Sequence, residues 1–159
     1  MATTTTDRIE KQILLKAPRS RVWRALTDSR EFGDWLQMKF DEPFVEGRTV
    51  SGQVTYPGYE HLKGEIVIER IEPERRFSYR WHPNAVDADH DYSKEPMTLV
   101  EFTLEEKPGG TLLKLVESGF DSIPIERRAA ALKSNDGGWT EQMKSIEAWL
   151  TAHPQAPAR

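Results

Sequence analysis

The stretch Thr98-Leu-Val-Glu-Phe-Thr-Leu-Glu-Glu106, then Pro108-Gly-Gly110 and Thr111-Leu-Leu-Lys-Leu-Val-Glu-Ser118, sets the reading of the chain. Val100, Phe102 and Leu104 alternate with polar neighbours, as a half-buried strand requires. The Pro-Gly-Gly punctuation is a hairpin signal, and Leu113 and Leu115 bring the chain back with the same period of two. The same alternation aims Glu117 toward the apolar side. Hairpins make antiparallel sheet, and a sheet with one apolar face must bury it.

Outward toward the C-terminus, Pro124 precedes a helical pattern over Ile125 to Lys133. Asn135-Asp-Gly-Gly138 follows, where two successive glycines cost about 2 kcal/mol against alanine, so a break or kink is expected. Trp139, Met143, Ile146 and Leu150 then resume at helical spacing until Pro154. This helix is the element able to cover the sheet.

Outward toward the N-terminus lie further strands at Arg76–His82, Leu62–Ile71, Arg48–Tyr56 and Met38–Glu42. Phe77, Tyr79 and Trp81 share one face of Arg76–His82. Two short helices are expected after Pro18 and after Thr27-Asp-Ser29, the second running toward Trp35, and a first strand over Arg8–Lys16. The expected fold class is α+β: one curved antiparallel sheet around a long C-terminal helix, with two short helices after the first strand. The domain is expected over residues 8–153, with flexible ends at 1–7 and 154–159.

Composition narrows the function. A 37% hydrophobic and 30% charged chain describes a folded globular protein. A net charge of −4 gives no general attraction to phosphate backbones or anionic lipid, so neither nucleic acid nor membrane insertion is expected. The absence of cysteine excludes disulfides and thiol chemistry, and with no secretory signal the expected location is the cytoplasm.

Several segments together resemble the helix-grip (START-like, SRPBCC) superfamily, and within it the group named after the activator of the Hsp90 ATPase. They are Lys16-Ala-Pro-Arg-Ser-Arg-Val-Trp-Arg-Ala-Leu-Thr-Asp28 with Trp35 after it, Glu72-Pro-Glu-Arg-Arg-Phe-Ser-Tyr-Arg-Trp81, and Thr98-Leu-Val-Glu-Phe-Thr-Leu104. Gly109-Gly-Thr111, Val116-Glu-Ser-Gly-Phe120 and Gly137-Gly-Trp139 complete the set. The resemblance runs from about residue 8 to 152. It implies a cavity between sheet and helix for small hydrophobic molecules, and a family that includes carriers, sensors, cyclases and co-chaperones. A homodimer is compatible with it. Hsp90 itself is not expected as partner, because the eukaryotic co-chaperone has an extra N-terminal chaperone-binding domain that these residues do not supply.

The expected function is therefore binding of a small hydrophobic or aromatic ligand in an internal cavity. The expected lining is Trp35 at the mouth, then Phe77, Tyr79, Trp81, Phe102, Trp139 and Met143, with Glu117 as polar anchor and Met38 and Met97 as adaptable wall. Each aromatic also reads as plain core, and Glu117 also reads as one half of a structural pair with Arg127, Arg128 or a backbone amide. Two alternatives stand beside this. One is a cyclase/aromatase- or hydratase-like enzyme using Glu117 with Tyr79 or His82. The other is a co-chaperone-type protein-binding module. No catalytic residue, cofactor or metal is assigned. Asp87-Ala-Asp-His-Asp91 lacks the glycine and glutamate of a calcium loop, and His61, His82, His90 and His153 have no ligand spacing.

Overall fold

The computed structural model describes residues 7–87 and 89–155. The expected flexible ends therefore fall, for residues 1–6 and 156–159, outside the described residues. Strand β1 (Arg8–Leu15) is followed by helices α1 (Arg19–Thr27) and α2 (Ser29–Leu36). Strands β2 (Met38–Phe40), β3 (Thr49–Val54), β4 (Lys63–Glu72), β5 (Arg76–Trp81), β6 (Thr98–Lys107) and β7 (Gly110–Ser118) follow in turn. A single 3-10 turn (Phe120–Ser122) leads into α3 (Ile125–Ala152).

The strands form one seven-stranded sheet in the order β1-β7-β6-β5-β4-β3-β2, antiparallel at every pairing. Successive strands are neighbours except that β1 adds to β7, so the sheet curves round and α3 lies along β1. This is the helix-grip architecture. Register carries the inward face across the sheet: Tyr79 pairs with Val100, Val100 with Glu117, and Glu117 with Ile9. All four are buried.

One expectation fails. Helix α3 is continuous across Gly137-Gly138, with 28 residues and no break. The reason is geometric. Ala131, Asn135, Trp139, Met143, Ile146 and Leu150 form one unbroken inward stripe, while both glycines face solvent with nothing within 4 Å of an added Cβ. Packing on that stripe offsets the poor propensity of the pair.

A buried ionic knot joins the three helices. Glu31 on α2 is 2% exposed. Its Oε1 accepts from Arg21 Nη2 at 2.7 Å and from Trp149 Nε1 at 3.1 Å, and its Oε2 from Arg24 Nε at 3.0 Å. Arg21 also donates from Nε to the His153 carbonyl at 2.9 Å, and the Trp149 and His153 rings stack at 3.6 Å. The end of α3 is thereby fixed to α1 and α2. Ser145 Oγ donates to the Trp35 carbonyl at 2.6 Å, one turn earlier on the same helix.

Candidate functional site

Glu117 stands near the end of β7, fully buried at 0% exposed. A carboxylate in that position is strongly penalised unless its oxygens are hydrogen-bonded. Four side chains do this, and none is a cation. Oε1 accepts from Trp139 Nε1 at 2.8 Å, and Oε2 from Trp81 Nε1 at 2.8 Å and Thr98 Oγ1 at 2.6 Å. The Asn135 amide spans both oxygens at 3.0 and 3.1 Å. An ionised carboxylate has about four lone-pair directions, so this one has none to spare.

Local structure explains the convergence. Trp81 is the last residue of β5 and Thr98 the first of β6, paired across the sheet. Thr98 lies two residues before Val100, the partner of Glu117, and therefore on the same face. Asn135 and Trp139 are one helical turn apart on α3. Glu117 thus ties both ends of the loop between β5 and β6 to the middle of the long helix. Neither Arg127 nor Arg128 pairs with it. Arg127 donates to Glu95 at 2.8 Å and to the Pro83 carbonyl at 3.1 Å, and Arg128 to the Ile123 carbonyl at 3.1 Å.

Beside this carboxylate sits Tyr79, fully buried, whose hydroxyl has no hydrogen-bond partner. Burial pushes its ionisation well above the usual phenol range, and the Glu117 charge pushes it further the same way. The phenol is therefore neutral. Its ring meets Trp81 edge-on at 5.1 Å and Phe102 at 6.4 Å. Trp81 stacks on Trp139 at 5.8 Å, and Trp139 meets Phe102 edge-on at 5.8 Å.

The expected lining residues thus divide. Tyr79, Trp81, Phe102, Trp139 and Glu117 come together. Phe77 belongs to the deeper aromatic packing, stacked with Phe102 at 6.3 Å and with Phe44 at 5.6 Å. Met143 is buried on the α3 stripe, one turn beyond Trp139. Trp35 is 2% exposed, its ring 4.9 Å from Phe32 and its indole N–H donating to the Ala25 carbonyl at 2.8 Å. It is packed in the interior rather than set at a mouth. His82 and Tyr79 make no hydrogen bond to Glu117, so the pairings that acid–base work would need are not formed. The missed partners, Thr98 and Asn135, had readable signals. Alternation puts Thr98 on the inward face, and Asn135 interrupts an apolar helical stripe one turn before Trp139.

Two concavities lie on the outside of the molecule: one of about 430 Å³ by Lys16, Arg19, Lys107 and Gly110, another of about 530 Å³ by Leu15, Lys144, Glu147 and Thr151. The rings of Tyr79, Trp81, Phe102 and Trp139 pack on one another beside Glu117. The carboxylate is not a lone acid: four side-chain donors surround it.

The connection between β5 and β6 begins and ends at this site, at Trp81 and Thr98. Its far end is latched to α3 by Glu95, which accepts from Arg127 and contacts His90 Nε2 at 2.6 Å. Arg127 also lies over the Tyr92 ring at 4.8 Å. Burial works to raise the Glu95 carboxyl, but hydrogen bonds from His90 and Arg127, with their charges, hold it below the usual range. Burial lowers the His82 imidazole, helped by Arg127 and opposed by Glu95, Glu65 and Asp91. Two of the loop's aspartates are spent locally: Asp87 caps the Asp89 N–H at 3.0 Å, and Asp91 takes the Ser93 N–H at 3.0 Å and hydroxyl at 2.6 Å.

A model of the family described as activator of Hsp90 ATPase homolog 1-like protein matches residues 16–151. Solved structures agree on the fold. A protein of Mesorhizobium loti is 25% identical with a TM-score of 0.73, over 92% of this chain and 98% of that one. A protein of Arthrobacter aurescens is 17% identical with a TM-score of 0.76, over 99% and 92%. The Aha1 dimer of Colwellia psychrerythraea is 16% identical with a TM-score of 0.66, over 88% and 92%. No curated protein matches. With its core motifs, its sheet order and its single long gripping helix all accounted for, the chain belongs to the activator of Hsp90 ATPase homolog 1-like family, within the helix-grip fold.

Proposed function

We propose that the interior beside Glu117 binds a small apolar, ring-containing molecule, and that the loop from His82 to Met97 is its door. The observation that carries this reading is the Tyr79 hydroxyl, buried without a partner among aromatic rings. A buried polar group left unsatisfied costs about 1–3 kcal/mol, and in a folded protein such a group calls for an explanation. A ligand polar atom that completes its hydrogen bonding supplies one. The aromatic surroundings suit a ring, and family membership supports small-molecule binding.

The close ring contacts beside Glu117 set the mode of binding: a ligand makes room for itself by moving side chains. Trp81 is only half-buried and begins the loop, so its outward swing with the loop would vacate volume between Tyr79 and Trp139. Glu117 remains held through this motion by Thr98 at the far end of the loop and by Trp139 on α3, and serves as the anchor of the hinge. A homodimer like that of the Colwellia protein is the assembly to seek by light scattering.

The test is a thermal-shift screen of apolar ring compounds, followed by structure determination with each hit. A compound that raises Tm by mass action and places a polar atom against the Tyr79 hydroxyl supports the reading. If no compound raises Tm, or if hits leave Tyr79 untouched, the reading is wrong.

A further inference from the structure

Among the described residues every donor to Glu117 is neutral: two indoles, one hydroxyl and one amide. The contrast with Glu31, which is held by two guanidinium groups, shows that the fold can neutralise a buried acid when it has cations to hand. At Glu117 the hydrogen bonds are complete and the charge is not cancelled. Arg127 and Arg128, the arginines at the start of α3, are committed to Glu95 and to backbone carbonyls. A net negative charge in a water-poor interior projects a field that solvent and salt screen weakly. The aromatic faces of Tyr79, Trp81, Phe102 and Trp139 add their own negative quadrupoles.

We infer that the ligand class of this site is an aromatic or other apolar cation, a protonated amine above all, and that carboxylates and other anions are excluded. This rests on the ligand-binding reading above and narrows it. Recognition follows from three features. The ammonium takes the place of the Asn135 amide, the half-buried donor whose single NH2 group is stretched between both carboxylate oxygens. The Tyr79 oxygen, lacking a partner, accepts a second N–H. The ring lies among the aromatic side chains. An anion of the same shape would meet the Glu117 charge at close range without compensation, a like-charge juxtaposition that defeats burial. Burial chiefly raises the ionisation of the Tyr79 phenol, and the Glu117 charge adds to it in the same direction.

Three shape-matched probes test this by titration calorimetry at pH 7.5: 2-naphthylmethylamine as cation, 2-naphthalenemethanol as neutral donor and 2-naphthoate as anion. The expected order is amine tighter than alcohol by about tenfold, with naphthoate binding at least a further tenfold more weakly. The amine's lead should persist when NaCl is raised from 0.15 to 0.5 M, because attraction to the protein's net surface charge would be screened over that range and attraction to a buried acid would not. Glu117→Gln should bring amine and alcohol to equal affinity. Should that variant fail to fold, Asn135→Ala removes only the displaceable donor and should strengthen the amine several-fold while leaving naphthoate unchanged. Equal binding of amine and alcohol to the unaltered protein overturns the charge selection and leaves the ligand reading standing. Preferred binding of naphthoate overturns the selection outright. Failure of all three to bind, together with a screen that yields no other hit, overturns both.

Discussion

Two buried carboxylates, Glu31 and Glu117, are both nearly or wholly shielded from solvent, yet the chain treats them in opposite ways. Glu31 is an ionic joint. Its partners Arg21 and Arg24 come from the neighbouring helix α1, and its remaining bond comes from Trp149. The acid's charge is met by two cations, and the joint fixes the end of α3. Glu117 is a polar node of neutral donors in which charge is retained. A buried pair is a way to hold helices together; a buried charge without a counter-ion is a poor choice for that purpose alone. The difference separates a structural use of an acid from one that leaves something for a ligand to complete.

Removing the acids should give the largest effects. Glu117→Ala strands two indole N–H groups and leaves a cavity, and should cost about 4 kcal/mol in urea unfolding. Glu31→Gln leaves two guanidinium groups without their counter-ion and should cost about 3 kcal/mol. A loss under about 1 kcal/mol at Glu117 would mean its donors find other partners, and the node would lose its meaning. Tyr79→Phe should go the other way. Deleting an unsatisfied hydroxyl should stabilise the unliganded protein by about 1 kcal/mol while weakening any ligand found in the screen. A destabilised Tyr79→Phe would show that the hydroxyl serves the fold and would erase the contrast with Glu31.

Smaller still, Gly138→Ala places a methyl group in open space on the helix that carries Asn135 and Trp139. It should raise stability by about 0.5–1 kcal/mol, read as a higher urea midpoint. Acid should act on the Glu117 side by loosening the loop latch. His82 is held below its unfolded value of 6.5, so the unfolded chain binds more protons as pH falls through that value and stability drops. Glu95 is also held below its unfolded value of 4.5, and its contribution is lost as pH falls further. The predicted signature is lower protection factors for the loop amides at pH 5.5 than at pH 7.5, once the intrinsic exchange rates at each pH are divided out, with the protection around Glu31 unchanged. Equal protection of the loop at both pH values would refute the latch.

The fold was more legible in the sequence than the site. Alternation in Thr98–Glu106 and Thr111–Ser118 gave the strands, because period two survives wherever one face is buried. The same alternation placed Glu117 inward. What it could not give was the node, since its donors come from β5, β6 and α3, brought together only by sheet register and helix docking. The expected break at Gly137-Gly138 failed for a related reason: propensity is local, whereas the stripe from Ala131 to Leu150 is held by tertiary packing. Rim and core were equally open readings for Trp35, because an indole's spacing does not reveal whether its N–H is spent, here on Ala25.

Of the five tryptophans in the chain, two end their indole N–H groups on one and the same acid. Indole emission responds to nearby charge and polarity, so whatever enters, leaves or protonates there must alter the protein's own ultraviolet fluorescence. The molecule carries a label-free optical gauge at the Glu117 node, and a cuvette titration can read it.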